Sequence, residues 1–347
     1  MKVQNGRRSF LKYMLSFSAF IAGSTLSFNK NKGFKTGKIS RTEARAMGAA
    51  GKRVKKIAVE EHCYTEDFVA WQVSRTEFKG RDPEEETILR ARNLGEGRLN
   101  EMDEAGIDMQ VISLAYPGLD IFKTADAIAL SKMVNDKISE TVKRYPDRFA
   151  GYCCIPLQDP EAAADELERA VTKLGLQAAM VNENTPDRWL SDQKYEVIFE
   201  RLAKLDVPIY LHWDGPTSDY PGNHIVPEVL RLVNSDLFNR YPGLQIILGH
   251  GGEGLPFWLW RRGSERGVMS DFGQVFKKHF YVTTSDQRSD ILLQFLIAAL
   301  GADRIMFATD YPFESGKDHV DWIDSAPISD SDREKICHLN AEKLFRL

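Results

Sequence analysis

The chain has 347 residues, 28% of them charged and 43% hydrophobic, and carries a net charge of −4 at pH 7. An acidic balance of this kind excludes a nucleic-acid partner held by phosphate contacts. The four cysteines, Cys63, Cys153, Cys154 and Cys337, match no zinc-module spacing and read as buried thiols rather than disulfides.

Residues 1–28 read as an export signal. Asn5-Gly6-Arg7-Arg8-Ser9-Phe10-Leu11-Lys12 is a twin-arginine sequence followed by the apolar stretch Tyr13–Leu26, and the first acidic residue is Glu43. That apolar stretch is too short to span a membrane and fits the hydrophobic region of a signal. No small-x-small tripeptide follows Leu26, so an uncleaved N-terminal anchor is the alternative. Membrane contact is expected only through this segment, and the protein is expected in the periplasm. Losing residues 1–28 removes Lys2, Arg7, Arg8 and Lys12 and no acid, which takes the net charge from −4 to −8. Residues 29–53, rich in Lys, Arg, Ser, Asn and Gly, read as a flexible basic tether. The remaining 54–347 form one domain of a length that suits an α/β barrel, typically about 250 residues.

Strand-like runs then alternate with helix-like ones. The expected strands are Lys56–Glu61, Met109–Leu114, Phe149–Pro156, Gln177–Asn182, Pro208–His212, Gln245–Gly249, Phe280–Thr284 and Arg304–Thr309. Amphipathic stretches lie between them at Thr124–Tyr145, Pro160–Leu174, Tyr195–Leu205, Pro227–Asn234 and Ser289–Leu300. The alternation implies a parallel sheet with right-handed crossovers, apolar on both faces. Eight strands reach the number at which such a sheet closes, giving a TIM-type (β/α)8 barrel. An open doubly wound sheet is the runner-up, but no glycine-rich phosphate loop follows the first strand. The long polar stretch from Tyr64 to Asn100 is expected to be a lid or small hairpin inserted after that strand. Phe257-Trp258-Leu259-Trp260 reads as an interface anchor or as a helix packing onto the barrel, and the second reading is preferred.

Four of the strands run into residues that a divalent metal would want. Glu60 and His62 are two apart, so both point to one face of the first strand. His212 closes the fifth strand, and His250 follows the sixth in Leu-Gly-His-Gly-Gly-Glu-Gly, where glycines allow close approach. Asp310 follows the eighth, where a buried carboxylate is costly unless it is paired or metal-bound. Each has an ordinary explanation singly: a surface Glu-His pair, or a satisfied core histidine. Jointly they sit at the mouth where barrels of this fold carry their active sites.

With these positions the chain resembles the amidohydrolase superfamily. Ala58-Val59-Glu60-Glu61-His62, Gly97-Arg98-Leu99 with Met102–Asp108, and His250-Gly251-Gly252-Glu253-Gly254-Leu255-Pro256-Phe257 look like its branch of metal-dependent non-oxidative decarboxylases. So do Asp310-Tyr311-Pro312-Phe313-Glu314 and Asn340–Phe345. Members of that branch act on hydroxybenzoates such as dihydroxybenzoate and resorcylate. The resemblance implies Glu60, His62, His212 and Asp310 as ligands of one divalent metal, Zn²⁺ or Mn²⁺. It places His250 near the substrate, Glu253 as its proton partner, and Arg261 and Phe313 on the acidic aromatic substrate. It also implies a homodimer or homotetramer. Hydrolytic members carry His-x-His on the first strand, and Glu60 in the first position makes a weaker Lewis acid and favours a harder ion beside Zn²⁺. No Lys ends the fourth strand, where binuclear members carry a bridging carbamate, which points to a single metal. Cys63 and Asn182-Glu183-Asn184 depart from the branch and are expected to line the mouth.

The leading expectation is decarboxylation of an ortho-hydroxylated aromatic acid, with Asp310 in its protonated form supplying the ring carbon's proton. The alternative is metal-assisted hydrolysis of a lactone, ester or amide, with Asp310 as base. A barrel that binds without chemistry comes third, disfavoured by the intact Glu60, His62, His212, His250 and Asp310.

Overall fold

The computed structural model describes residues 53–74, 85–182, 188–212, 225–261 and 269–347. The expected signal and nearly all of the tether, through residue 52, lie outside them. Among the described residues no helix is long and apolar enough to cross a membrane.

Eight parallel strands follow one another around a barrel: β1 (Ile57–Cys63), β2 (Met109–Leu114), β3 (Phe149–Cys153), β4 (Ala178–Asn182), β5 (Ile209–His212), β6 (Ile246–Leu248), β7 (Phe280–Thr283) and β8 (Ile305–Met306). The seam between β8 and β1 is bridged by backbone bonds from Val59 N to Phe307 O (3.0 Å), Asp310 N to Glu60 O (3.1 Å) and His62 N to Tyr311 O (2.7 Å). The fold is the expected (β/α)8 barrel.

Each expected strand is present, and the ends differ for local reasons. The eighth was expected to reach Thr309 but stops at Met306. Beyond it the backbone turns to other acceptors: Phe307 N donates to Ile336 O, Ala308 N to Thr284 Oγ1 and Thr309 N to Glu61 Oε1. Helices lie over the strands at Thr124–Arg144, Pro160–Arg169, Glu196–Leu205, Ile225–Asn234, Asp271–His279, Asp290–Leu300 and Gly316–Ser325. Their starts follow from side-chain caps. Asp159 accepts from Ala162 N just ahead of Pro160, and Ser270, Ser289 and Ser315 cap the last three helices. The insertion after β1 is helical in its described parts, at Glu66–Ser74, Glu86–Arg92 and Glu96–Ala105. It is no hairpin there, because Thr65 Oγ1 accepts from Phe68 N and starts a helix that buries Phe68 and Val69.

Two apolar layers make the core. Ile57, Val59, Val111, Tyr152, Met180, Tyr210, Ile247 and Met306 fill the barrel, while Ala58, Cys63, Ile112 and Leu114 join the layer beneath the helices. Cys63 therefore does not line the mouth as expected; burial pushes its thiol up to about 12. The aromatic run after β6 splits. Leu259 is buried, whereas Phe257 is 64% exposed with its ring stacked on Phe295 at 4.2 Å.

The register of β1 on β2 decides where the site can be built. Ala58 pairs with Gln110 and Glu61 with Ile112, so Val59 and Glu60 together oppose the single residue Val111. This β-bulge resets the alternation of the strand. Val59 points into the barrel floor, and Glu60 and His62 point inward above it, with Glu61 and Cys63 turned to the helix layer. Without the extra residue, the face that carries Val59 would have carried Glu61 instead of Glu60.

Candidate metal centre

Glu60, His62, His212, His250 and Asp310 converge at the C-terminal end of the barrel. Two sets of potential ligand atoms share Glu60: with His62 and Asp310, and with His212 and His250, each set lying within 4.8 Å. His62 Nε2 is 3.1 Å from Asp310 Oδ1, while His212 Nε2 and His250 Nε2 stand 3.4 and 3.5 Å from Glu60 Oε1. The His62 and His212 rings meet edge to face at 4.7 Å.

Each donor is aimed by a neighbour. Asn182 Oδ1 lies 2.9 Å from His212 Nδ1, and its amide nitrogen donates to Leu114 O, which fixes which end of the amide faces the ring. His212 thus carries its proton on Nδ1 and leaves the Nε2 lone pair for the centre. Ser113 Oγ, 3.2 Å from His62 Nδ1, holds the second ring in place. Both bracing residues sit on strands next to the ligand they hold, with His62 paired to Ser113 and Asn182 to His212.

Glu60 is fully buried, and its two oxygens have different surroundings. Oε2 accepts from Thr283 Oγ1 at 2.7 Å and from Tyr210 Oη. Thr283 Oγ1 is in turn 2.8 Å from Ser285 Oγ, which accepts from His250 N at 3.0 Å. Oε1 has no hydrogen-bond partner, and neither has His62 Nε2. A buried carboxylate oxygen and an imidazole nitrogen left unsatisfied side by side are costly in a protein interior. A cation between them resolves both, so the residues present fit a single divalent metal. Gly249 gives the carboxylate its room: a Cβ there would lie 2.9 Å from both Glu60 Oε1 and Tyr210 Oη.

The electrostatics agree with a cation site. Burial pushes the Glu60 carboxyl up, but His250, His212 and His62 outweigh it and hold the group well below the usual carboxylate range. Burial pulls the His250 imidazole down, yet Glu60, Asp310, Glu253 and Asp286 together hold it up at about 9. In the metal-free cluster His250 is therefore protonated at neutral pH. His250 and Asp310 are the members that reach the mouth, with side chains 21% and 15% exposed, whereas Glu60, His62 and His212 lie beneath. Phe313 places its ring 5.8 Å from that of His62. Arg261 is exposed, with its guanidinium 5.5 Å from the Trp258 ring centroid, and makes no hydrogen bond or ion pair to the cluster among the described residues. Asn182, expected to line the mouth, instead braces His212, and Glu183 and Asn184 lie outside the described residues.

Sequence reasoning passed over Tyr210 and Thr283. Tyr210 stands two residues before His212 and so shares its inward face, a signal that strand periodicity offered. Thr283 ends β7, a strand without a ligand, and nothing local marks it.

Residues 89–347 match the amidohydrolase family. A gamma-resorcylate decarboxylase of Polaromonas sp. strain JS666 is 36% identical over 328 residues, spanning 84% of this chain and 98% of that protein. Among solved structures, a dihydroxybenzoic acid decarboxylase from Polaromonas sp. JS666, with bound manganese and the inhibitor 2-nitroresorcinol, superposes with a TM-score of 0.74 at 35% identity, over 85% of this chain and 98% of that one. A 5-carboxyvanillate decarboxylase from Sphingomonas paucimobilis gives a TM-score of 0.77 at 30% identity, over 85% of this chain and all of the other.

Proposed function

The chain belongs to the amidohydrolase family, and on that premise we propose that it is a metal-dependent, non-oxidative decarboxylase of aromatic acids carrying a hydroxyl ortho to the carboxylate. The observation that carries the reading is the donor set. Glu60 Oε1, His62 Nε2, His212 Nε2 and Asp310 Oδ1 turn toward one another at the barrel mouth, with the outer atoms of the two rings already engaged. The substrates named for the relatives above share one chemical feature, a carboxylate beside a ring hydroxyl. The hydrolytic alternative is not favoured, since these relatives are named decarboxylases.

One divalent ion would be held by Glu60, His62, His212 and Asp310. Two carboxylates among the donors favour Mn²⁺ over Zn²⁺, and Asn182 ends β4 where a bridging Lys would be needed for a second ion. When bound, the ion supplies a fixed positive charge that orients the carboxylate and its ortho oxygen and offsets charge developing on them.

The chain's own residues do the rest. Asp310 delivers a proton to the ring carbon that bears the carboxylate, and the electron pair of the breaking carbon–carbon bond restores the aromatic ring as CO₂ leaves. His250, at the mouth with Glu253 beside it, returns a proton to Asp310. Phe313 forms an apolar wall against His62 that keeps water from the ring, and Arg261 attracts the acidic substrate. We further infer that residues 1–28 direct twin-arginine export, that 29–53 tether a barrel of 54–347 in the periplasm, and that the barrel assembles as a homodimer or homotetramer.

A panel assay tests the reaction class. Manganese-loaded protein is expected to release CO₂ from 2,6-dihydroxybenzoate, 2,3-dihydroxybenzoate or 5-carboxyvanillate, and none from 3- or 4-hydroxybenzoate. Turnover of a lactone or ester with no CO₂ from any of the acids would overturn the reading.

A further inference from the structure

We infer that Glu61, Gln110 and Arg98 form a buried positioning brace that sets the spacing of His62 and Asp310. The inference rests on the metal-site reading given above and concerns residues that touch neither metal nor substrate.

Glu61 lies between two ligands in sequence but on the other face of β1, where the bulge sends it beneath the helices, fully buried. Its Oε1 accepts from Thr309 N at 2.8 Å, and its Oε2 from Thr309 Oγ1 at 2.7 Å and Gln110 Nε2 at 3.0 Å. Thr309 precedes Asp310, whose φ of 67° is a left-handed conformation. A non-glycine residue stays in that region only when its surroundings hold it there.

Gln110 passes the contact on. Its amide oxygen accepts from Arg98 Nε at 2.7 Å, and Arg98 Nη1 donates to the His62 carbonyl at 2.8 Å. The Arg98 guanidinium lies 4.2 Å from the ring centroid of Tyr311, the residue after Asp310. A hydrogen-bonded chain therefore grips the residue before Asp310 and the backbone of His62, and its guanidinium packs on the ring of the residue after Asp310. The outcome is the 3.1 Å approach of His62 Nε2 to Asp310 Oδ1.

Stability alone does not account for the arrangement. A glutamate and an arginine are both fully buried, they meet only through Gln110, and Arg98 Nη2 has no hydrogen-bond partner. Apolar side chains of similar volume commonly fill such a space at no loss of stability. What they would not supply is an acceptor for Thr309 N and a donor for His62 O.

The test is Mn²⁺ affinity of the metal-free protein, read by electron paramagnetic resonance titration, alongside kcat and KM. Glu61→Ala is expected to weaken Mn²⁺ binding about 10- to 100-fold, the usual effect of losing a partner that orients ligands. It should also alter the bound-Mn²⁺ spectrum and lower kcat with little change in KM. Glu61→Gln, which keeps an acceptor for Thr309 N but sets its NH₂ against Gln110 Nε2, should recover only part of the affinity. A Glu61→Ala protein with a native circular dichroism spectrum, twofold or less from wild-type affinity and with an unchanged spectrum, overturns the brace. Should Glu61→Ala not fold, Thr309→Val decides: a loss of about fivefold or more, the worth of one hydrogen bond, supports the brace, and a smaller change overturns it. Wild-type protein that binds no Mn²⁺ saturably would instead refute the metal site itself.

Discussion

Replacing Asp310 by asparagine is expected to lower kcat for CO₂ release by about 10³-fold or more, the scale of losing a positioned general acid, with a much smaller change in KM. Asparagine matches aspartate in shape and tolerates the left-handed backbone that Asp310 adopts, so the β8 end should keep its course. The amide cannot deliver a proton, and it brings no charge to the side of the cluster shared with His62, 3.1 Å away. Rates under saturating substrate, with metal content measured on the same sample, separate the two losses. A metal-loaded Asp310→Asn protein that releases CO₂ at the wild-type rate removes Asp310 from the role of acid.

The second large effect is on binding. Glu60→Gln is expected to weaken Mn²⁺ binding by more than about 100-fold, above the 10- to 100-fold usual for partners outside the ligand set. Glu60 divides its work between two oxygens: Oε2 takes hydrogen bonds from Thr283 and Tyr210, and Oε1 faces His212 and His250 without a donor of its own. A glutamine that keeps its oxygen on the hydroxyls turns its NH₂ into the centre, where it repels a cation; turned the other way, it offers the centre only a neutral amide oxygen. The lost negative charge also removes the largest pull on the His250 proton, so the His250 pKa should fall from about 9. An isothermal titration that finds the Mn²⁺ affinity of Glu60→Gln unchanged would rule Glu60 out as a ligand.

Much of this architecture was legible in the residues, because a parallel barrel writes itself as apolar runs and puts its chemistry at their ends. His212 and Asp310 could be placed from that rule alone. Glu60 and His62 were rightly assigned to one face, but that this face is the inner one depends on a bulge that only the pairing with β2 reveals. The alternation that put Glu60 inside gave no role to Glu61, which turns out to hold Thr309, 248 positions away in sequence. Contacts of that range are fixed by closure of the barrel and leave no local pattern. Arg98 stood in a family-like motif without a function, and its place under His62 and Tyr311 follows from where the helix Glu96–Ala105 lies over β1. Cys63 follows His62, so alternation alone turns it away from the inner face; the expectation that it lines the mouth came from its position in the family pattern and not from the strand.

The central claim is that one divalent ion, held by Glu60, His62, His212 and Asp310, supports decarboxylation. Titrating metal-free protein with Mn²⁺ while following CO₂ release from an ortho-hydroxylated benzoate tests it most directly. Activity should be absent at the start, rise linearly, and level off at one equivalent per chain. Full CO₂ release before any metal is added, or a rise that continues to two equivalents, would contradict the claim.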